Sequence, residues 1–399
     1  MTPERAVIVG ASHAGAQLAA NLRREGWSGE VVLIGDEGGL PYHRPPLSKG
    51  YLAGKNGLDD LLIRGADFYE KQHIRLLNAT VEAIHRSAKR VSLSTGDTLT
   101  YTKLALCTGA RARRLPTPGV DLPGIHYLRT AADVELIRAA ATPGRRVVIV
   151  GGGYIGLETA ASLCSLGMNV TVLEATERVL ERVTAPEVSA FYTRIHRGEG
   201  VEIRTHALVE AFSGNGGVQE VVLADGESIP ADLVIVGVGV VPNTELASAA
   251  GLSVDNGIVI DDQARTSDPD IVAAGDCTSH TMARYGSRIR FGSVSSAGEQ
   301  AKIAAATICG KHSAIAALPW FWSDQYDLKL QIAGLNAGYD ELLLSGDPSR
   351  DRDFSCFYFR EGELIAADCV NRPRDFMSSK RAISQQLRVD RSELLAGSI

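Results

Sequence analysis

The sequence predicts an α/β fold carrying two βαβ units on parallel sheets, and three observations predict it. The chain has 399 residues, 45% of them apolar, too many for one ordinary core and enough to bury two or three. The segment from Arg5, RAVIVGASHAGAQLAANLRREGWSGEVVLIGDE, and the segment from Arg146, RVVIVGGGYIGLETAASLCSLGMNVTVLEAT, align as strand, glycine turn, helix, strand, acid. Each opens on a short β-branched run suited to a strand buried on both faces, then passes into an Ala- and Leu-rich helical pattern.

In the first unit the turn carries Gly10 and Gly15, with Ala14 between them and Ser12 where a middle glycine is usual. Serine is small, so the departure is a tolerated one. Asp36, after Leu33, Ile34 and Gly35, is the acid expected to meet a ribose, with Glu37 the less favoured candidate. His13 reads as a neutral turn filler rather than a catalyst.

The second unit carries a full G-x-G-x-x-G in Gly151, Gly153 and Gly156, with Tyr154 and Ile155 inside it. The first glycine permits the tight turn, the second lets a pyrophosphate approach the backbone, and the third lets helix and strand pack closely. The helix N-terminus supplies N–H groups and a positive dipole end to the diphosphate. Glu174 then accepts from a ribose 2′-OH and repels a 2′-phosphate. No arginine follows it immediately, which favours NADH over NADPH, with Arg178 weighing slightly the other way. One such motif is weak, whereas two in full strand–turn–helix–strand–acid context are strong; the alternative is one working dinucleotide site and a degenerate second copy.

The remaining features bound the function. The run Leu233 to Val241, interrupted by Gly237 and Gly239, is too short to cross a bilayer and reads as a buried strand. Met1 to Arg5 lead into Ala6–Val9 without a signal-peptide pattern, so a cytoplasmic protein off the membrane is expected. A net charge of −6, with both signs interspersed, gives no basic field for nucleic acid. Cys107, Cys164, Cys277, Cys309, Cys356 and Cys369 include no C-x-x-C pair and no cluster with histidines. The chain is therefore expected to hold no metal, iron–sulfur cluster or redox disulfide, all six cysteines being buried as small apolar residues. Any electron relay inside it must use an organic cofactor. With no coiled-coil pattern or symmetric motif, a monomer is expected.

LPYHRPPLSKGYL, YTKLALCTGARARRLP, DLVIVGVGVVPNTELA, IVAAGDC, ERVTAPEVSAFY, ASAAGLSVDNGIVI, PWFWSDQYDLKL and VNRPRDF together resemble the putidaredoxin-reductase-like, FAD-dependent ferredoxin reductases of bacterial oxygenase chains, through nearly the whole sequence. The resemblance implies a glutathione-reductase-like α/β architecture of two Rossmann-like domains plus a C-terminal α+β domain. A discontinuous FAD domain is expected over 1–111 and 241–318, an NAD domain over 112–240, and the C-terminal domain over 319–399.

The same resemblance implies residue roles. Thr108 and Gly109 end a strand beside FAD, and Asp276 hydrogen-bonds near the ribityl chain and flavin-side phosphate, a helix N-cap being its bland alternative. Val81, Arg129 and Val294 are FAD contacts by resemblance alone. Lys49, held by Pro45 and Pro46, is expected to pair with Glu158 near the flavin edge, where the two position nicotinamide and offset developing charge. Trp322 is expected near the flavin, although Trp320, Phe321 and Trp322 read equally well as a core anchor. Arg64, Lys302, Arg372, Arg374 and Lys380 are docking candidates for an acidic two-iron two-sulfur ferredoxin. Gly292 and Ser296 stand where the family often has an acid and an asparagine.

The implied reaction is hydride transfer from NADH to FAD followed by single-electron transfers to the ferredoxin, the flavin bridging a two-electron donor and one-electron acceptors. No protein nucleophile is required. An NADH oxidase or peroxidase is disfavoured because PYHRPPLSK contains no cysteine. A flavin-binding redox scaffold, resembling the apoptosis-inducing-factor branch, is disfavoured by the absence of a basic tail or targeting segment. Downstream, a haem-thiolate monooxygenase is expected, with a Rieske ring-hydroxylating dioxygenase as the alternative.

Overall fold

In the computed structural model of the chain, residues 4–395 are described; the outer ends of the expected first and third domains, 1–3 and 396–399, lie outside the described residues. The two repeats form as strand, helix, strand: β1 (Arg5–Val9), α1 (His13–Glu25) and β2 (Glu30–Gly35), then β3 (Arg146–Val150), α2 (Tyr154–Ser165) and β4 (Asn169–Leu173). β-Branched side chains suit these strands because both faces are covered. Val7 and Ile8 are fully buried, as are Val31 and Val32 beside them, each such burial contributing about 1.5–3 kcal/mol.

The chain forms two compact units. The first comprises residues up to His43, Leu61–Arg111 and Val241–Pro319; the second comprises Arg44–Asp60, Ala112–Val240 and Trp320 onward. In the first unit a five-stranded parallel sheet runs Ile271–Ala273, Lys103–Leu106, β1, β2, Ile74–Asn78. In the second the order is Ile125–Tyr127, Leu233–Val236, β3, β4, Glu202–Arg204, again parallel throughout. In both, the crossover before the strand that flanks the first repeat strand is a three-stranded antiparallel meander: Val81–His85, Arg90–Leu93 and Thr98–Thr100 in one, Val209–Ser213, Glu220–Leu223 and Ser228–Pro230 in the other. The outer edge strand comes from after the inserted segment in the first unit and from before the meander in the second.

The second unit also holds α3 (Pro186–Gly198) and an antiparallel sheet ordered β5 (Trp320–Gln325), β6 (Leu328–Gly334), Glu363–Val370, Phe354–Arg360, Glu341–Ser345. Its core is aromatic, with Phe354, Phe357, Tyr358 and Phe359 fully buried. The helix Pro373–Gln385, started by a proline at its first turn, buries Phe376, Ala382 and Ile383. No helix among the described residues is long and apolar enough to cross a membrane.

Segment 44–60 groups with the second unit, where Ser162 Oγ donates to the Ser48 carbonyl (2.8 Å) and Arg138 lies over the Tyr51 ring. Two expectations are corrected. The run Leu233 to Val241 is not one strand. It breaks after Val236 and resumes at Val240, since Gly237 leaves the sheet beside the second glycine turn. Of the six cysteines, all free, Cys164 and Cys309 are only half-buried, because each sits at the C-terminal end of a helix.

Candidate functional site

The first glycine turn is shaped by contacts that admit no side chain. Gly10 has φ of +109°, and a Cβ there would stand 2.1 Å from the Cys107 carbonyl oxygen; one on Gly15 would stand 1.9 Å from the Gly10 oxygen. The loop after Lys103–Leu106 is clamped by Asn243: Thr108 Oγ1 donates to its carbonyl (2.6 Å), its Nδ2 donates to the Thr108 oxygen (2.8 Å), and its N–H donates to Gly109 (2.9 Å). A Cβ on Gly275 would touch Ala14 Cβ at 3.0 Å, which packs the turn holding Asp276 against the start of α1. Gly10, Ser12, Ala14, Gly15, Thr108, Gly109 and Asp276 thus gather at the carboxyl ends of three adjacent parallel strands, where open α/β sheets bind ligands.

Asp276 is not a helix N-cap. It lies in the turn that enters the strand Thr278–Met282; the helix Val294–Ile308, with Val294 as its first residue, is capped by Ser293, whose Oγ accepts from Ser296 N–H at 3.2 Å. A Cβ on Gly292 would sit 3.5 Å from the Asp276 carboxyl group, so the glycine at this departure puts no side chain of its own against that carboxylate. Asp36 is exposed at the end of β2, Glu37 accepts from the Tyr42 hydroxyl, and Val81, 8% exposed, opens the meander. His13 is buried, its Nε2 3.0 Å from His43 Nδ1, so one ring must donate to the other; burial lowers the pKa of His43.

The second turn repeats the geometry. Gly151 has φ of +112° with a Cβ position 2.5 Å from the Gly237 oxygen, and a Cβ on Gly156 would meet the Gly151 oxygen at 2.1 Å. Glu174 Oε2 accepts from Gly152 N–H (2.8 Å), and Oε1 accepts from the Thr176 N–H and hydroxyl (2.9 and 3.0 Å). Arg178 is committed elsewhere, to Ser189 Oγ (2.5 Å) and the Glu181 carbonyl (3.0 Å). Tyr154 packs on Phe321 with ring centroids 4.8 Å apart, and Ile155 is exposed. Arg129 N–H donates to Asp133 Oδ2, and its carbonyl accepts from Arg44.

The two turns differ by an exchange of volume. Val9 pairs with Ile34 and Val150 with Leu173, so Gly35 occupies the register position of Glu174 and Asp36 follows one residue later. A Cβ on Gly35 would lie 2.5 Å from Ala11 Cβ; at the position matching Ala11, a Cβ on Gly152 would lie 3.1 Å from Glu174 Oε2. A side chain in the turn excludes one at the strand end, and each copy chose a different member.

Lys49 and Glu158 come together in the second unit. Lys49 Nζ is 2.8 Å from Glu158 Oε2 and donates to the Pro45 carbonyl at 3.0 Å. Glu158 is 3% exposed, and sequence reasoning missed its other donors: Ser48 Oγ on Oε2 and Ser323 Oγ on Oε1, each at 2.6 Å. A faint signal existed in WFWSDQ, where Ser323 and Gln325 fall on the strand face opposite Trp320 and Trp322. Trp322 is half-buried and stacks on Trp320, centroids 5.5 Å apart. Among the docking candidates Arg64, Lys302 and Arg374 are exposed; Lys380 lies 4.7 Å above the Trp320 ring, and Arg372 is bound to Asp353 and Ser345.

Both turns fit a dinucleotide. Neither Ser12 nor Gly153 caps its helix with a side chain, leaving first-turn N–H groups for a diphosphate, and nothing lies within 4 Å of a Cβ placed on Gly153. Residues 4–304 match the family model described as pyridine nucleotide-disulphide oxidoreductase, and residues 320–398 match the model described as reductase C-terminal. The chain is 47% identical to putidaredoxin reductase CamA of Pseudomonas putida over 97% of this chain and 93% of that one. It is 42% identical to the anthranilate 1,2-dioxygenase system ferredoxin–NAD(+) reductase component of Burkholderia cepacia, over 99% and 97%. The reductase in the crystal structure of the covalent putidaredoxin reductase–putidaredoxin complex superposes with a TM-score of 0.95 at 45% identity, covering 99% of each chain. The chain therefore belongs to the pyridine nucleotide-disulphide oxidoreductases and, among them, to the putidaredoxin-reductase-like FAD/NAD(P) ferredoxin reductases.

Proposed function

We propose that the protein is a cytoplasmic NADH-dependent ferredoxin reductase that holds FAD on the Gly10 turn and NADH on the Gly151 turn, and serves a two-iron two-sulfur ferredoxin feeding a haem-thiolate monooxygenase. The observation that carries this reading is the duplicated nucleotide turn with a carboxylate fixed on only the second copy's strand end. FAD, when bound, supplies the conversion between hydride and single-electron transfer.

The chain's own residues bind and orient. The α1 N-terminus and the Gly10 turn take the FAD diphosphate, with Asp36 near its adenosine ribose and Thr108, Gly109, Asp276, Val81 and Val294 as further contacts. The α2 N-terminus takes the NADH diphosphate. Glu174, oriented by Gly152 and Thr176, receives the ribose hydroxyls and repels a 2′-phosphate, while Arg178, held by Ser189 and Glu181, offers such a phosphate no partner. Lys49, fixed by Glu158 and Pro45, places a positive charge where the reduced cofactor gains negative charge; Arg129 and Trp322 complete the assigned set. In domain terms, 1–111 with 241–318 serves FAD, 112–240 serves NADH, and 319–399 supports the partner face.

Stopped-flow mixing of the FAD-loaded protein with NADH and NADPH tests the reading. Rapid bleaching by NADH, slow bleaching by NADPH, and cytochrome c reduction that depends on added ferredoxin are expected. Peroxide or water as the main product without ferredoxin dependence makes it an oxidase, and negligible bleaching by either nucleotide makes it a scaffold. The similarity to the anthranilate dioxygenase reductase supports a second reading, service to a Rieske dioxygenase. A higher kcat/KM for a dioxygenase-system ferredoxin than for putidaredoxin would select it.

A further inference from the structure

Beyond the Lys49–Glu158 pair, four side chains form an unbroken hydrogen-bonded series within the second unit. Tyr326 OH is 3.1 Å from His196 Nδ1, His196 Nε2 is 2.8 Å from Gln325 Oε1, Gln325 Nε2 is 3.2 Å from Ser323 Oγ, and Ser323 Oγ is 2.6 Å from Glu158 Oε1. His196 and Ser323 are fully buried and Gln325 is 1% exposed, so a member left without a partner would carry the full desolvation penalty of its polar group.

The charge at one end dictates every proton in the series. A carboxylate only accepts, so Ser323 O–H donates to Glu158. Having spent its single hydrogen, Ser323 Oγ accepts from Gln325, which turns the amide nitrogen toward the serine and the amide oxygen toward His196. That oxygen needs a donor, so the imidazole carries its hydrogen on Nε2 and accepts from the Tyr326 hydroxyl at Nδ1. A single-proton ring satisfies this arrangement, and burial, pulling the pKa of His196 down to about 4, keeps the ring neutral.

We infer that Ser323, Gln325, His196 and Tyr326 are positioning residues of the nicotinamide chemistry: a one-way donor chain that fixes Oε1 of Glu158 so that Oε2 stays turned to Lys49. The inference rests on the role proposed above for that pair. The chain is an anchor and not a proton path, because an amide in the middle passes a proton only by becoming an imidic acid. Its members come from α2, α3, β5 and the β5–β6 turn, where Tyr326 adopts φ of +56°, so the anchor ties the nucleotide helix to the C-terminal sheet.

The test reads the His196 tautomer directly, by 15N NMR of the FAD-loaded full chain with labelled histidines, the signal assigned by its loss in His196→Gln. The wild type is expected to show neutral, Nε2-protonated His196 throughout pH 6–8. In Glu158→Gln the new amide turns its oxygen to Lys49 and donates to Ser323, which reverses every bond, so His196 is expected to switch to the Nδ1-protonated form, three hydrogen bonds from the change. An Nδ1-protonated or charged wild-type ring, or an identical tautomer in both proteins, overturns the donor chain whether or not NADH reduces the flavin. Functionally, Ser323→Ala is expected to lower the hydride-transfer rate constant per bound flavin roughly 10-fold, the equivalent of about 1.4 kcal/mol, with Ser323→Thr restoring it. Loss of thermal stability with an unchanged rate constant would leave Ser323 a structural residue and overturn the positioning role, and a wild type that NADH fails to bleach would defeat the reductase reading itself.

Discussion

Asp368 shows what a single buried acid does here. It is 1% exposed, its Oδ2 accepts from the Tyr358 hydroxyl at 2.5 Å, and its Oδ1 has no partner among the described residues. Burial pushes its pKa up to about 7, with the Tyr358 hydrogen bond pulling the other way, against an ordinary value of about 4. A raised carboxyl pKa means that the folded protein keeps a proton the unfolded chain has lost. The stability this group contributes is whole below about pH 4 and declines up to about pH 7, at roughly 1.4 kcal/mol per pH unit. Asp368→Asn removes the titration while leaving an acceptor for Tyr358. Its melting temperature relative to wild type is expected to rise by several degrees between pH 5 and pH 8, and a difference that stays flat across that range would show that Asp368 ionises as an ordinary acid. The two buried carboxyls differ in their partners: Asp368 has a single neutral donor, whereas Glu158 has a lysine and two serines.

At the scale of the element, the glycines of one turn do different work, and Gly153 isolates the part that concerns the ligand. Its backbone, φ −80° and ψ −178°, suits any residue, and nothing stands near its missing Cβ. Gly153→Ala is therefore expected to melt within about 0.5 kcal/mol of wild type and to hold FAD normally, yet to raise KM for NADH by roughly tenfold, because the methyl enters the space a diphosphate needs. An unchanged KM in steady-state assays would remove the diphosphate from that turn. Gly10→Ala, with a carbonyl 2.1 Å from the new atom, has no such freedom. These turns were legible in the sequence because a βαβ unit is local: strand, turn and helix lie within thirty residues, and Gly15 and Gly156 answer to the Gly10 and Gly151 carbonyls inside that stretch. What joins distant residues was not legible from spacing. Ser323 reaches Glu158 across 165 positions, and the break at Gly237 depends on a turn more than eighty residues earlier. The Lys49–Glu158 pairing came from family resemblance, since a lysine after two prolines is by itself an ordinary surface charge.

For the whole molecule the question is how a chain of net charge −6 would engage the acidic two-iron two-sulfur ferredoxin proposed as its partner. Net charge governs only the far field. Within about 10 Å at 0.1 M salt, the local arrangement decides; Arg64, Lys302 and Arg374 are exposed, whereas Arg372 is held to Asp353 and Ser345. Charges at the rim of an interface act mainly on association rate and salt dependence. Raising the ionic strength from low to high salt is therefore expected to lower kcat/KM for the ferredoxin roughly 10-fold while leaving NADH-driven flavin reduction unchanged in stopped flow. Arg374→Glu and Lys302→Glu should reproduce part of that loss at low salt and flatten the salt dependence. Arg372→Glu, by contrast, places a carboxylate beside Asp353 and should act chiefly by lowering the melting temperature. If ferredoxin-dependent turnover proves indifferent to salt, docking rests on apolar contact, and the exposed Met377 on the helix Pro373–Gln385 becomes the residue to change, since its side chain is the large apolar one that helix presents beside Arg374 and Lys380.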